Sequence, residues 1–272
     1  MNTRLSVVII TWNSRRDAKS CLDSVIDATT SYLTEVIVVD NGSTDGTLEI
    51  LESYGERINL VVLKKNNGVA VARNVGMNMA KGEYIWILDI DTVVNKEAVD
   101  GMIDYLSSNV NCGICACRLQ SESGDIQDSC RRLPYPEHKI RNLLIGKAGR
   151  SVLGEKRYVA MKKQNEAQFY HNEIMNGEPF EPEYVIGACQ LFRKTILDEV
   201  GFLDERIFYG PEDADFCLRV HKKGYGVIYL PEYHIIHHYN RISNKKIFSR
   251  MSFLHLKGLL YFYFKHRGLL KN

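Results

Sequence analysis

Short apolar runs alternate with amphipathic segments through the first half of the chain. The runs are rich in Val, Ile and Leu, which is typical of strands covered on both faces; they occupy residues 5–11, 35–40, 58–63 and 84–89. The segments between them repeat apolar residues at helical spacing; they occupy residues 15–29, 47–54 and 69–79, with Ser14 as the expected first N-cap. This alternation predicts an α/β fold with a mostly parallel central sheet flanked by helices.

The pattern is less regular in the second half of the chain. Further helices are expected at 95–107, 195–200 and 245–271, and further strands at 112–117, 185–193 and 225–230. Residues 134–183 are polar and poorly periodic, which predicts a long excursion with short helices over one side of a cleft. We expect one domain over residues 1–240 and a basic, amphipathic helical tail over residues 241–272.

The charge distribution sets the tail apart from the rest of the chain. The 272 residues carry a formal net charge of only +2, yet eight lysine and arginine residues and no acidic residue follow Glu232. The sequence predicts no nucleic-acid partner. Seven cysteines, with no signal-peptide pattern at the start, indicate reduced thiols and a cytoplasmic protein. The apolar run at 258–264 is too short to span a bilayer.

Two carboxylates, Asp89 and Asp91, stand at the end of the fourth apolar run. Side chains alternate along a strand, so the two would point the same way if the extended geometry continues. Hard oxygen ligands suit Mg²⁺ or Mn²⁺ carrying phosphates, at the strand ends where open α/β sheets bind ligands. A solvated turn is the alternative, because Asp is common in turns.

Other candidate binding residues, most of them polar, lie at or after the ends of the earlier strands, at the same predicted edge of the sheet. They are Thr11, Asn13, Asp40, Asn41, Ser43, Asn67, Gly68 and Arg73. The guanidinium of Arg73, near a helix start, is placed to pair with a phosphate. The chain lacks the glycine patterns of a dinucleotide fold and of a P-loop, which argues against both classes. We therefore predict a nucleotide-diphosphate pocket in which a metal neutralises the phosphates.

Four of these segments resemble, in the same order, the family 2 inverting glycosyltransferases of GT-A fold. They are SVVIITWN at 6–13, VVDNGSTDGT at 38–47, NG with ARNVG at 67–76, and LDID at 88–91. The resemblance implies a nucleotide-sugar donor in a donor-binding half (1–110), facing an acceptor-binding half (111–240). It further implies Asp40 on the base, Asp89 and Ile90 at the ribose, and Asp91 on a divalent metal that holds the diphosphate.

A second acidic group lies in the segment FYGPEDADFCLR at 208–219. Pro211 suits the first position of a helix, and acids in a first helical turn are favoured by the helix dipole, which is an alternative explanation for the group. By the resemblance, Asp213 is the general base, Glu212 and Asp215 support it, and Gly187 and Ala188 lie on the acceptor side.

The resemblance also implies a histidine ligand for the metal. His237 is at the expected place, but the glycine-rich turn typical of the family is replaced by residues 239–243, so His238 stays open as the alternative.

A zinc site is another candidate, and its cysteines would be Cys112, Cys115, Cys117 and Cys130. One short cysteine spacing without a matching second pair favours buried core cysteines instead.

The end of the chain bears on the substrate and on the partners. The segment YFKHR at 263–267 resembles the ends of rhamnosyltransferases in this family, which favours dTDP-rhamnose as donor. Aromatic and basic residues together suit an anionic membrane surface, while packing on the domain or on a second subunit, as in a homodimer, stays open.

The predicted activity is metal-assisted, inverting transfer of a sugar to a lipid-linked glycan or polysaccharide precursor. The alternatives are transfer from a UDP-hexose or UDP-hexosamine and a non-catalytic nucleotide-sugar-binding scaffold. A sugar nucleotidyltransferase is disfavoured because Thr11, Trp12 and Asn13 stand where a glycine-rich, arginine-containing loop is expected.

Overall fold

The computed structural model describes residues 4–29, 34–141, 144–145, 154–238 and 250–270. The strands are β1 (Leu5–Thr11), β2 (Thr34–Asp40), β3 (Asn59–Val62), β4 (Tyr84–Asp89), β5 (Thr92–Val93), β6 (Cys112–Gln120), β7 (Cys130–Arg131), β8 (Tyr184–Val185), β9 (Cys189–Arg193) and β10 (Gly226–His237). The helices are α1 (Ala18–Ala28), α2 (Thr47–Glu52), α3 (Val69–Met79), α4 (Lys96–Ser108), α5 (Glu155–Glu166), α6 (His171–Asn176), α7 (Thr195–Val200), α8 (Glu212–Lys222) and α9 (Arg250–Lys265), with short 3₁₀ turns at Gly55–Arg57 and Arg267–Leu270.

Eight strands form the central sheet in the order β3-β2-β1-β4-β9-β6-β10-β5. The first four are parallel, as the sequence predicts, and β6 is parallel to β10. Strand β9 is antiparallel to both β4 and β6. Leu88 therefore pairs with Cys189, so the residues that precede β9 lie beside the carboxyl end of β4. The reversed direction of β9 brings the second half of the chain to the predicted site.

The sheet is covered on both faces. One face packs against α1 and α4 around Trp86 and Leu22, and the other packs against α3 and α8 around Phe192 and Phe216. All four side chains are fully buried. The continuous apolar strands predicted a sheet that is covered on both faces, and the structure confirms this prediction.

Several boundaries differ from the sequence prediction for local reasons. Ser14 is not the N-cap of α1: its carbonyl accepts from the N–H groups of Asp17 and Ala18 in a turn that precedes the helix. The single strand predicted at 185–193 is two strands, since β8 pairs with β7 in a separate sheet. Helix α8 begins at Glu212, one residue after the expected proline position.

Strand β10 runs past Pro231, where the sequence predicts its end. The pairing of β10 with β6 shifts register between Leu230 and His234. An irregularity of this kind accommodates a residue without an N–H, and the strand then resumes. The extension matters for the site because it carries the chain on to His237 beside Thr92 of β5.

The final helix packs on the domain. Gly258, Leu259 and Phe262 of α9 are buried, and a Cβ at Gly258 would lie 2.7 Å from the carbonyl oxygen of Gly210. Within the described part of the chain, no helix is both long and apolar enough to cross a bilayer. The predicted tail also includes residues 241–249 and 271–272, which lie outside the described residues.

Candidate active site

A cleft of about 280 Å³ opens at the carboxyl ends of β1 and β4. Among the residues predicted from the sequence, its lining includes Thr11, Asn13, Asn41, Gly68, Asp89, Ile90 and Asp91. Its lining also includes Trp12, Phe208, Tyr209 and Met251, none of which was predicted as a site residue. The last three come from the α7–α8 connection and from α9, so only the folded chain brings them to the strand ends.

Two buried oxygens at the carboxyl ends of β1 and β2 have no hydrogen-bond partner among the described residues. They are Asp40 Oδ1 and Thr11 Oγ1, on side chains that are 1% and 3% exposed. Thr11 and Asp40 are register neighbours on β1 and β2, and Asp40 Oδ2 accepts from the Ser43 N–H at 3.0 Å. Because buried polar atoms are normally satisfied, this pair fits a ligand that donates a hydrogen bond, such as a nucleobase N–H.

The loops after β1 and β2 are tied together by side chains. Asn13 has a positive φ of 55°; its N–H donates to Ser43 Oγ, and its Oδ1 accepts from the Thr44 N–H, both at 2.8 Å. The Ser14 N–H donates to Thr47 Oγ1 in the same way. Asn13 and Ser43 therefore set the shape of the rim, and Asn13 also faces the cleft.

A network of amides shapes the opposite rim. Asn41 donates from Nδ2 to Asn66 Oδ1 and to the Gly68 carbonyl, while its Oδ1 accepts from the Asn67 N–H. Gly68 has a φ of 96°, and a Cβ there would lie 2.6 Å from the carbonyl oxygen of Phe208. Only glycine fits this approach, so the motif residues Asn67 and Gly68 form the junction with the 208–209 segment.

Asp89, Asp91 and His237 bring one ligand atom each within 4.8 Å of one another. The strand geometry does not continue to Asp91, since β4 ends at Asp89 and the chain turns. The turn is held by Thr92 Oγ1, which donates to the Asp89 carbonyl at 2.8 Å, and by the His238 N–H, which donates to the Asp91 carbonyl at 2.7 Å. Two carboxylates and an imidazole match a site for Mn²⁺ or Mg²⁺.

The electrostatics of this cluster favour a positive charge. Burial alone would lower the pKa of His237, but its hydrogen bond with Asp91 and the charges of Asp91 and Asp89 raise it. His237 Nε2 lies 3.3 Å from Asp91 Oδ1. The cluster therefore stabilises either a proton or a cation at this position.

The alternative metal ligands lie elsewhere. His238 faces Asp17 and Glu122, with nitrogen-to-oxygen distances of 3.5 and 3.1 Å.

The cysteines of the zinc hypothesis are free and buried, and burial raises the pKa of Cys112 and Cys130 to about 12. Among the described residues these cysteines do not form a group that could hold a metal ion. They belong to the core, and the zinc hypothesis is wrong for the described chain.

Arg73 is buried, at 3% exposure, instead of facing a phosphate as predicted. Its Nη2 donates to Asp89 Oδ1 at 2.7 Å and to the Gly187 carbonyl at 2.8 Å. Its Nη1 lies 3.4 Å from Glu212 Oε1. Charged guanidinium groups are buried only when paired, and here the pairs join the Asp89 side of the cleft to α8.

Gly187 connects Arg73 to Asp213. Its carbonyl accepts from Arg73, and its N–H donates to Asp213 Oδ2 at 3.3 Å. A Cβ at Gly187 would lie 2.1 Å from Arg73 Nη1, so no side chain fits. The neighbouring Ala188 is in the core, and its carbonyl accepts from the Asp89 N–H. Asp213 is half-buried. Gly187 therefore lies between Asp213 on one side and Arg73, with its partner Asp89, on the other.

Asp215 does not support the acceptor side, contrary to the prediction. It is fully buried and binds Lys265 Nζ at 2.6 Å, His266 Nε2 at 2.8 Å and Arg219 Nε at 2.8 Å. Residues two positions apart on a helix lie on different faces. Asp215 therefore points away from Asp213 and faces α9. Its role is to anchor the last helix, which in turn carries Met251 to the cleft.

Glu212 is a buried carboxyl beside the candidate base. Burial, followed by the charge of Asp213, raises the pKa of Glu212 to about 7, although Arg73 acts in the opposite direction. Glu212 Oε2 accepts from the Gly210 N–H. The two adjacent acids therefore differ in environment, which is a common arrangement where one carboxylate must accept a proton.

Comparison with known proteins gives a family match over most of the chain. The description "Glycosyl transferase family 2" matches residues 6–201. A putative teichuronic acid biosynthesis glycosyltransferase of Bacillus subtilis is 36% identical over 150 residues, which are 52% of this chain and 59% of the relative. An N-acetylglucosaminyl-diphospho-decaprenol L-rhamnosyltransferase of Mycobacterium tuberculosis is 24% identical over 98% of this chain and 87% of its own length.

Solved structures confirm the fold type. The structure of GalNAc-T7 with UDP, GalNAc and Mn²⁺ superposes with a TM-score of 0.65 at 16% identity, over 92% of this chain and 46% of that chain. These neighbours have the GT-A fold, so the predicted fold class is correct. The chain thus spans less than two thirds of the Bacillus relative and about half of this structural neighbour.

Replacement of Glu212 by Gln tests the buried carboxyl. A group whose pKa is raised by folding contributes stability that is lost as the pH rises from its ordinary value of 4.5 to about 7. We expect the wild type to lose about 2–3 kcal/mol of unfolding free energy relative to Glu212→Gln between pH 5 and pH 8.5.

Urea denaturation at the two pH values measures this difference. The exposed Glu49→Gln variant is the control and keeps the wild-type pH dependence. Parallel pH profiles for the wild type and Glu212→Gln would contradict the raised pKa.

Proposed function

The chain belongs to glycosyl transferase family 2, and we propose that it transfers a sugar from a nucleotide-diphosphate donor to a hydroxyl of a cell-surface glycan precursor. The observation that carries this proposal is the pairing of two sites across one buried arginine. Asp89, Asp91 and His237 form a candidate metal cluster on one side, and Asp213 lies on the other. The cell-surface glycan follows the names of the Bacillus and Mycobacterium relatives.

The unsatisfied oxygens of Asp40 and Thr11 support a nucleotide donor. In this proposal they accept from the base, and Thr11 lines the same cleft as Asp89 and Asp91. The two carboxylates and His237 would hold a divalent cation, which supplies charge neutralisation for the leaving diphosphate. The residues present fit that cation, since carboxylate oxygens and an imidazole nitrogen converge within 4.8 Å of one another, while Arg73 binds Asp89 through Oδ1.

The reaction we propose is an in-line displacement that inverts the anomeric centre. The acceptor oxygen forms a bond to the anomeric carbon while the bond from that carbon to the diphosphate oxygen breaks, and the electron pair leaves with the nucleoside diphosphate. Asp213 takes the proton of the acceptor hydroxyl. Two N–H groups, of Gly187 and Ala214, orient its carboxylate at 3.3 and 2.7 Å.

For the donor we propose dTDP-rhamnose. The support is the likeness to the mycobacterial L-rhamnosyltransferase, which extends over 98% of the chain and includes the final helix. A UDP-hexosamine is the second candidate, because a neighbour of the same fold holds UDP, GalNAc and Mn²⁺. Pocket contacts of a few groups separate such donors, so both belong in the assay.

We propose further that α9 lies on an anionic lipid surface at the cytoplasmic face of the membrane. Its outward side carries an apolar stripe, Phe253, Leu256, Leu260 and Phe264, with exposures of 54–69%. Only basic charges occur in this part of the sequence. Apolar side chains with surrounding cations match an anionic bilayer, and a lipid-linked acceptor would be presented there.

Replacement of Asp213 by Asn tests the general base. The variant keeps the size of the side chain and, through its one remaining oxygen, one of the two N–H contacts, but it cannot take a proton. We expect the rate of transfer from dTDP-rhamnose or UDP-N-acetylglucosamine to a glycosyl-diphospho-lipid acceptor to fall by about 10²–10⁴-fold. Donor affinity, measured by calorimetry, stays within about twofold of wild type.

The exposed Asp198→Asn variant is the control and retains wild-type transfer. A loss of donor affinity in Asp213→Asn that matches the loss of rate would move Asp213 to the donor site. Absence of transfer from every donor by the wild type would favour a nucleotide-sugar-binding scaffold.

A double variant, Phe253→Ser with Leu260→Ser, tests the membrane surface. Co-sedimentation with phosphatidylglycerol vesicles should fall at least about tenfold, because each buried side chain contributes roughly 1.5–3 kcal/mol. Val110→Ser, at a position that is 74% exposed and remote in sequence, is the matched control and should bind as wild type.

Equal binding of the double variant and the wild type would contradict the lipid assignment. A dimer in sedimentation velocity that the double variant abolishes would also contradict it, and would make the stripe a subunit interface.

A further inference from the structure

Gln127 and His237 bind each other through two hydrogen bonds, although 110 residues separate them. Gln127 Nε2 donates to the backbone carbonyl of His237 at 2.8 Å. Gln127 Oε1 lies 2.7 Å from His237 Nδ1. The Gln127 amide thus binds both the main chain and the ring of His237, which completes the candidate metal cluster.

This pair of contacts fixes which nitrogen of His237 carries hydrogen. A backbone carbonyl only accepts, so the NH₂ end of the Gln127 amide must face it. The amide oxygen is therefore the end that faces Nδ1, and an amide oxygen also only accepts. Nδ1 must then be the protonated nitrogen. Nε2 is the nitrogen that faces Asp91, at 3.3 Å from Oδ1.

The backbone around Gln127 holds the side chain in this place. Its N–H donates to the Leu119 carbonyl at 2.9 Å, and its carbonyl accepts from the Ser129 N–H at 2.8 Å. Leu119 belongs to β6, which pairs with β10 up to Ile236, the residue before His237. Gln127 and His237 are therefore fixed to the same pair of strands.

We propose that Gln127 is a positioning residue that holds His237 in the Nδ1–H form and presents Nε2 to the divalent cation. The inference deepens the proposed function and rests on its metal site. Partners on the remote nitrogen of a metal-bound histidine set its tautomer and ring orientation, and their loss commonly lowers metal affinity by about 10–100-fold. Gln127 acts through His237.

Two replacements of Gln127 distinguish a positioning role from a role in packing. Gln127→Leu has a similar size and no hydrogen bonds, and we expect its Mn²⁺ affinity to fall by about 10–100-fold. Gln127→Glu keeps an acceptor for Nδ1–H but loses the donor to the His237 carbonyl, and we expect its Mn²⁺ affinity to lie between those of the wild type and Gln127→Leu. Gln164→Leu, the same change at an exposed position on α5, is the matched control.

Mn²⁺ binding is measured from the electron paramagnetic resonance signal of the free ion. The tautomer of His237 is measured in the metal-free proteins at alkaline pH, where the imidazole is neutral, by long-range ¹H–¹⁵N correlation, with His237→Gln for assignment. We expect Nδ1–H in the wild type and in Gln127→Glu, and a mixture of tautomers in Gln127→Leu. A purely structural role of Gln127 would change the melting temperature and leave the tautomer as it is.

Several results would overturn the inference. Wild-type Mn²⁺ affinity in Gln127→Leu, or an affinity of a folded Gln127→Glu below that of Gln127→Leu, would show that the contact does not position the ligand. An Nε2–H tautomer in the wild type would contradict the inference alone. A wild-type protein that binds no Mn²⁺ would contradict the metal site of the proposed function as well.

Discussion

The buried guanidinium of Arg73 is the interaction on which the site depends. A charge at 3% exposure is stable only if its surroundings offset the lost hydration, and Asp89, Glu212 and the Gly187 carbonyl do so. These partners come from three distant parts of the chain. Since each must stay within hydrogen-bond or ion-pair reach of one rigid, planar group, the strand end that carries Asp89 cannot move freely relative to α8.

The sheet topology makes this arrangement available. Strand β9 runs antiparallel between β4 and β6, so the residues just before it lie at the carboxyl end of β4. Gly187 is one of them, and it contacts Arg73 through its carbonyl and Asp213 through its N–H. The lack of a side chain at this residue lets the two halves of the cleft share one backbone unit. The spacing between the Asp89 cluster and Asp213 is thereby set by the fold instead of by loop flexibility.

Much of the donor half could be predicted because its signals are local. Apolar strands that end in polar residues showed where Thr11, Asp40 and Asp89 would meet, and the family motifs indicated the fold. The roles of Arg73 and Asp215 could not be predicted, because a charge in a helix gives no sign of its distant partner. Gln127 was not predicted either, because its partner His237 lies 110 residues further along the chain.

The most direct test of the account is thermal stabilisation of the protein by UDP, dTDP, GDP and CMP, each with and without Mn²⁺, in the wild type and in Asp91→Ala. Ligands that bind only the folded state raise the melting temperature by mass action. We predict a rise with at least one nucleoside diphosphate that requires Mn²⁺ and disappears in Asp91→Ala. No rise with any nucleotide, or an equal rise without Mn²⁺ and in the variant, would contradict it.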